Sequence, residues 1–137
     1  MDRKYGELVA GRIYFGGAAD TNDAVRKENV DVVFDVRVNG RDEAVEYNYI
    51  HSPITEDATA ETIKAGAEKI AEAYKSGEKI YIHCGGGNGR ASVMATAILL
   101  EIGATANLGD AVERVKTVRS AANVRPNMQA ALDKLYK

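Results

Sequence analysis

The sequence has 137 residues, the size of a single domain, 1–137. Its 18 basic and 20 acidic side chains give a formal charge of −2, which excludes the clear basic excess of proteins that bind nucleic acid or anionic membranes. Hydrophobic residues at 45% and charged residues at 28% exclude a disordered chain. The single cysteine, Cys84, excludes an intramolecular disulfide and a cysteine-rich zinc site.

The start of the chain and its apolar runs bear on its location in the cell. No apolar segment of the kind found in a secretory signal opens the sequence. The most apolar run, 91–100, is much shorter than the roughly 20 residues of a membrane span, so it predicts a buried core helix. We therefore expect a cytoplasmic protein that does not associate with membranes.

The first half of the chain contains three strand candidates and one helix candidate. β-Branched and aromatic residues at 13–15, closed by two glycines, predict an edge strand or one arm of a hairpin. A short helix follows and ends near residue 28. The apolar run 32–36 predicts a strand buried on both faces, and 49–51 predicts a further strand that ends before Pro53.

The second half alternates between helix and strand patterns. Apolar residues recur every three or four positions over 59–74, which predicts a helix with one buried face. A strand at 79–83, a glycine-rich loop and a helix at 91–102 follow. Asn107 caps the next predicted helix, and Pro126 opens the last one.

This order of elements predicts the fold class. Strands that alternate with helices indicate an α/β domain, here with a central, mostly parallel sheet of about four or five strands flanked by helices. In such sheets the ligand lies at the carboxyl ends of the strands. The loop that leaves the strand at 79–83 is at such an end.

The chemistry of the sequence is concentrated at 83–90, which reads His-Cys-Gly-Gly-Gly-Asn-Gly-Arg. Glycines let successive backbone N–H groups point into one concavity, and the following helix adds the positive end of its dipole. The combination of strand, glycine loop and helix therefore predicts a cradle for a phosphate group. The residues expected to bind the substrate are Gly85, Gly86, Gly87, Asn88, Gly89 and Arg90.

Two side chains of this loop can act on a bound phosphate. Cys84 lies where inward N–H groups favour its thiolate, which is a nucleophile. Arg90 offers a planar fork of donors to phosphate oxygens and can stabilise charge in the transition state. The alternatives are a buried, inert thiol at Cys84 and a surface ion pair of Arg90 with an acid such as Glu101. A Walker A loop is excluded, because Ala91 follows Arg90 where that loop needs Gly-Lys-Ser/Thr.

The pattern His-Cys-x5-Arg at 83–90, with Gly87 and Gly89, resembles the signature of cysteine-dependent protein tyrosine and dual-specificity phosphatases. The order of the surrounding segments is similar from about Gly11 to the last helix. The resemblance implies a phosphotyrosine-phosphatase-like fold and hydrolysis of phosphate monoesters through a phosphocysteine intermediate, with no cofactor and no metal. His83 is expected to support the loop by hydrogen bonding.

The leaving group needs a general acid, and the resemblance places this acid just after the strand that ends near Pro53. Two acids, Glu56 and Asp57, stand there. We expect Asp57 to be the general acid, with Glu56 as the second choice. The alternative role for Asp57 is to cap the helix that begins near Thr59.

Position 91 departs from the family pattern, because Ala91 stands where a serine or threonine usually follows the arginine. That hydroxyl helps the thiolate to leave when the phosphoenzyme is hydrolysed. Ser92 lies one position later, about 100° around the helix. The sequence thus predicts a phosphocysteine that forms readily and hydrolyses slowly. The loop also has no lysine, which disfavours a multiply phosphorylated inositol as substrate.

Further polar residues follow the predicted strand at 32–36 and precede the last helix. Candidates for the pocket mouth are Asp35, Arg37, Asn39 and Arg41. Arg119 and Arg125 are candidates to attract an anionic substrate. For all six, a solvated charged surface is the preferred interpretation.

The preferred interpretation is a phosphatase whose catalytic residues are Cys84, Arg90 and Asp57, acting on a phosphorylated protein or a small phosphate ester. Two alternatives stay open. One is a phosphate-binding module that has lost turnover, which Ala91 favours. The other is a rhodanese-type sulfurtransferase, which also uses a lone cysteine in a loop after a strand. The oligomeric state is left open.

Overall fold

A computed structural model describes residues 5–40, 47–85, 89–120 and 122–136. Within these residues a five-stranded sheet forms the centre of the protein, in the spatial order β1-β2-β5-β3-β4. Only the β1–β2 pair in this sheet is antiparallel. The predicted α/β architecture with a mostly parallel sheet is therefore confirmed. The strands are β1 (Gly6–Val9), β2 (Ile13–Gly17), β3 (Val32–Asp35), β4 (Asn48–His51) and β5 (Ile80–Cys84).

Helices cover both faces of the sheet, and each helix expected from the sequence is present. The fourth helix opens with the predicted cap, in which the Asn107 side chain accepts a hydrogen bond from the Asp110 N–H at 2.9 Å. Gly77 and Gly103 follow the second and third helices with positive φ, as C-terminal glycines often do. The helices are α1 (Thr21–Glu28), α2 (Thr59–Lys75), α3 (Arg90–Glu101), α4 (Leu108–Val118) and α5 (Pro126–Tyr136).

Strand β1 was missed by the sequence reading, and it changes the role of β2. Strand β2 was expected as an edge strand or a hairpin arm. It pairs with β1 on one side and with β5 on the other, so the hairpin alternative is confirmed and the edge alternative is wrong. Its residues are all buried, which agrees with its place inside the sheet. The four residues of β1 carry too few strand-forming side chains to give a signal.

The core has two parts, one on each face of the sheet. The larger part includes α3, in which every residue from Ala91 to Leu99 is buried. This confirms the expected core helix, because α3 packs against α2, α4 and α5 as well as against the sheet. The smaller part lies on the other face and is formed around Tyr5, Tyr14 and Tyr81. Within the described residues, no helix combines the length and apolar character needed to cross a membrane.

The register of the parallel strands brings four strand ends to one edge of the sheet. Gly17 of β2 is level with Cys84 of β5, and Asp35 of β3 is level with both His83 and His51. Helix α3 begins at the same edge. The carboxyl ends of the strands and the amino end of α3 therefore surround the loop that carries the candidate chemistry.

Candidate active site

Cys84 is the last residue of β5 and is 7% exposed. The carbonyl oxygen of the next residue, Gly85, accepts a hydrogen bond from the Ala18 N–H at 2.9 Å, which ties the start of the loop to the end of β2. Gly89 precedes the first turn of α3, whose amino end carries the positive end of the helix dipole. The expected succession of strand, loop and helix is present. The predicted ligands Gly86, Gly87 and Asn88 lie outside the described residues.

Arg90 is the first residue of α3 and joins two parts of the site. Its Nε donates a hydrogen bond to the carbonyl oxygen of Ile54 at 2.9 Å. The acid close to it is Glu56, with 4.0 Å between Arg90 Nη2 and Glu56 Oε1. The alternative of a surface ion pair between Arg90 and Glu101 is wrong, because Glu101 Oε2 instead contacts Lys64 Nζ at 2.6 Å.

A cavity of about 490 Å³ opens above the cysteine. The structure places Arg37, Asn39 and Arg125 in its wall, whereas Arg119 is not among the described lining residues, and Arg41 lies outside the described part of the chain. In those described parts, no group of three or more His, Cys, Asp or Glu side chains could hold a metal ion. The cavity is lined by Arg37, Val38, Asn39, Cys84, Gly85, Gly89, Arg90, Arg125 and Met128.

Asp35 was a candidate for the mouth of the pocket, with a solvated surface as the preferred interpretation, and both are wrong. The residue is fully buried, because β3 lies between β4 and β5 in the sheet. Its carboxylate accepts hydrogen bonds from Arg37 Nε at 2.9 Å and Arg37 Nη2 at 2.7 Å, and a further one from the Tyr49 hydroxyl. Burial alone would raise the pKa of Asp35, but the hydrogen bonds from Arg37 and Tyr49 outweigh it and lower the pKa to about 2.

His83 lies between this carboxylate and the cysteine loop. It is 3% exposed, and its Nδ1 is 3.1 Å from the carbonyl oxygen of Cys84 and 3.9 Å from Asp35 Oδ1. Burial lowers the pKa of His83, which favours a neutral ring at neutral pH. A carbonyl oxygen can only accept, so Nδ1–H is the donor to Cys84. This geometry fits a supporting role for His83.

The two candidate general acids stand on the segment between Ile54 and α2, and both are exposed. Glu56 approaches Arg90 as described, and Asp57 is not among the described residues that line the cavity. Asp57 does not cap α2 either, since Ala58 occupies the N-cap position and no side chain bonds the helix end there. The structure thus brings Glu56 to the arginine and leaves the Asp57 carboxylate at the surface beside it.

The position after Arg90 is apolar and buried, as the sequence implies. Ala91 and Ser92 are both fully buried. The Ser92 hydroxyl makes no hydrogen bond to any residue in the described part of the chain, Cys84 included. Ser92 therefore does not replace the hydroxyl that position 91 lacks.

The sequence did not indicate two contacts of the site: the Tyr49 hydroxyl donates a hydrogen bond to Asp35, the partner of Arg37, and the Ile54 carbonyl accepts one from Arg90 Nε. Tyr49 was read only as part of a strand, and the Ile54 carbonyl carried no signal. A carboxylate within an apolar, buried strand does indicate that a partner is needed. Arg37, two residues further on, could have been proposed as that partner, but the contribution of Tyr49 depends on the pairing of β3 with β4.

Replacing Asp35 with asparagine tests the ion pair between Asp35 and Arg37. We expect Asp35→Asn to lower the free energy of unfolding by about 2 kcal/mol at pH 7, because the folded state holds the carboxylate at a pKa about two units below its ordinary value of 3.8. A lowered pKa stabilises the fold above the unfolded-state pKa. The difference between the two proteins should therefore shrink as the pH falls from about 4 to about 2.

Denaturant titrations at several pH values measure this effect. The matched control is Asp23→Asn, which removes the exposed partner of Arg26 on α1 and should cost about 0–1 kcal/mol. A loss for Asp35→Asn that stays the same from pH 7 down to pH 2 would show that the cost does not arise from the charge.

The chain resembles known proteins in both sequence and fold. The family model described as "Dual specificity phosphatase, catalytic domain" matches residues 13–137. The structure of human DUSP28 has a TM-score of 0.82 at 17% identity, over 98% of this chain and 93% of that chain. Tk-PTP in its active form gives 0.80 at 21% identity, over 98% and 97%. PTPMT1 gives 0.78 at 18% identity, over 95% and 92%. These likenesses show the fold, and no curated protein sequence matches the chain.

Proposed function

Because this chain belongs to the dual-specificity phosphatase catalytic domain family, we propose that it hydrolyses phosphate monoesters through a phosphocysteine intermediate. The observation that carries the proposal is the meeting of Cys84 and Arg90 in one cavity, at the end of β5 and the start of α3. The substrate is a phosphorylated protein or a small phosphate ester, and the site of action is the cytoplasm.

In the first step the Cys84 thiolate attacks phosphorus and forms the S–P bond. The loop N–H groups and the Arg90 guanidinium bind the phosphoryl oxygens, so charge that develops on them is stabilised. The bond from phosphorus to the leaving oxygen breaks, and Asp57 donates the proton that this oxygen takes up. The chemistry needs no metal ion, since these donors supply the positive charge.

In the second step water attacks the phosphocysteine. Asp57, now ionised, accepts a proton from the water, and the S–P bond breaks to release inorganic phosphate and the Cys84 thiolate. A hydroxyl at position 91 would stabilise that thiolate as it leaves. Ala91 cannot do so, and the Ser92 hydroxyl makes no hydrogen bond to Cys84. The second step is therefore the slow one.

Rapid-quench kinetics with p-nitrophenyl phosphate test this order of rates. We expect a burst of nitrophenol that approaches one equivalent of protein, followed by a slow steady state. Ala91→Ser should raise the steady-state rate by about tenfold, the effect of one hydrogen bond to a charged group, and change the burst rate less. Fast turnover without a burst would contradict slow hydrolysis of the intermediate.

A substrate panel tests the function itself. It contains phosphotyrosine, phosphoserine and phosphothreonine peptides, small phosphate esters, and PI(5)P, with which PTPMT1 was crystallised. Release of phosphate by the wild type, lost in Cys84→Ser, supports the proposal.

A binding module without turnover is the second candidate, and the observation that favours it is Ala91. Tight binding of tungstate or phosphopeptide with no release of p-nitrophenol would establish it in place of the enzyme. Formation of thiocyanate from thiosulfate and cyanide would instead support a sulfurtransferase.

A further inference from the structure

The cavity above Cys84 is larger than a phosphate group needs. Its volume of about 490 Å³ lies within the range of roughly 300–1,000 Å³ that is typical of sites for whole small molecules. The cradle at the floor takes one phosphate. The remaining wall therefore faces the rest of the substrate.

The charged side chains in the described part of that wall are all arginines. Arg37, Arg90 and Arg125 line the cavity, and no Asp or Glu is among the described lining residues. The charge of Arg37 is balanced by the Asp35 carboxylate with which it is paired. Arg90 and Arg125 therefore supply the net positive charge of the described lining.

Arg37 is held rigidly toward this cavity. Its guanidinium donates two hydrogen bonds to the fully buried Asp35 carboxylate, and its backbone N–H donates a third at 3.0 Å. The Arg37 side chain is 21% exposed and Asp35 is not exposed at all, so only the arginine of this pair meets the cavity. A guanidinium fixed in this way loses little conformational entropy when it binds an anion.

Arg125 reaches the same cavity from another element. It is exposed and directly precedes Pro126, the first residue of α5. Arg90 is already engaged at the phosphate cradle, so Arg125 supplies the net charge for a second anionic group, and Arg37 adds a guanidinium that Asp35 holds in place. Val38 and Met128 give the cavity an apolar wall for the carbon atoms of a ligand.

We infer that the cavity binds a small phosphate monoester that carries a second anionic group, a carboxylate or a phosphate, and that Arg37 and Arg125 bind this second group. The inference rests on the proposed function, in which the first phosphate lies over Cys84. It goes beyond that function because it assigns the substrate class and a second subsite.

The test compares phenyl phosphate with its 3-carboxy and 3-phosphonomethyl derivatives, which differ in the second charge. We expect kcat/KM to be about tenfold higher for the two doubly anionic esters, the effect of a hydrogen bond to a charged group. The gain should appear in KM, since the second group is bound alike before and during the reaction. Arg125→Gln should bring the ratio close to one.

The matched control is Arg26→Gln, which removes the same charge from an exposed arginine of α1. This variant should keep the wild-type ratio. A ratio that falls equally in both variants would show a general charge effect and would overturn the subsite. Equal kcat/KM for all three esters in the wild type would overturn the inference while the proposed function stands.

If the wild type shows no turnover, binding of the esters to the Cys84→Ser variant still tests the second subsite separately from the proposed function. Calorimetry with the same three esters should then give Kd values about tenfold lower for the doubly anionic pair. Equal Kd values would overturn the inference. A preference for doubly over singly phosphorylated peptides, without any preference among the small esters, would overturn the assignment of a small substrate.

Discussion

Cys84→Ser is expected to lose at least about 10⁴-fold in kcat toward phosphate monoesters, a loss typical of removing a catalytic nucleophile. A serine hydroxyl is far less acidic than a cysteine thiol, and the mechanism provides no base to activate it. The volume change is small, so the buried position at the end of β5 accepts the substitution. Steady-state assays with p-nitrophenyl phosphate measure the loss.

Binding of phosphate analogues should survive the same substitution, because Arg90 and the loop N–H groups are unchanged. Calorimetry with tungstate is expected to give a Kd within a few-fold of that of the wild type. The control is Ser92→Ala, which removes a buried hydroxyl that has no hydrogen-bond partner in the described residues and should leave turnover near the wild-type level. Turnover retained by Cys84→Ser would reject covalent catalysis by this residue.

Asp57→Asn is expected to cause the second large loss of activity, about 10²–10⁴-fold in kcat for phenyl phosphate. Asparagine cannot give a proton to the phenolate as it leaves. The loss should be smaller for p-nitrophenyl phosphate, because nitrophenolate leaves well without protonation. The difference between the two substrates is the signature of a general acid, which a fold defect would not produce.

Glu56→Gln is the matched control for this assignment. Glu56 is the neighbouring acid, and its carboxylate lies 4.0 Å from the Arg90 guanidinium. We expect a change of only a few-fold, equal for the two substrates. If Glu56→Gln shows the large, substrate-dependent loss and Asp57→Asn does not, then Glu56 is the general acid.

The fold could be predicted largely because its signals are local. The strand β3 and the helix α2 have clear apolar patterns, and glycines mark the ends of α2 and α3. Strand β1 was missed because four residues with one glycine and one glutamate give no pattern. Its presence depends on pairing with β2, which is a tertiary effect.

The candidate site likewise combines features that local sequence indicates with features that depend on the tertiary structure. The loop was predictable because Cys84 and Arg90 belong to one continuous segment between a strand and a helix. The burial of Asp35 was not, since it follows from the position of β3 between β4 and β5. The hydrogen bond from Arg90 to the Ile54 carbonyl spans 36 positions and involves a backbone atom, so the residue types alone do not indicate it.

The position of the cysteine also determines how the protein responds to oxidants. We expect peroxide that enters the cavity to oxidise Cys84 to a sulfenic acid. The chain has no second cysteine, so this acid cannot be captured as an internal disulfide. Its recovery depends on an outside thiol or on closure with a backbone nitrogen, and otherwise oxidation proceeds to the irreversible sulfinic and sulfonic acids.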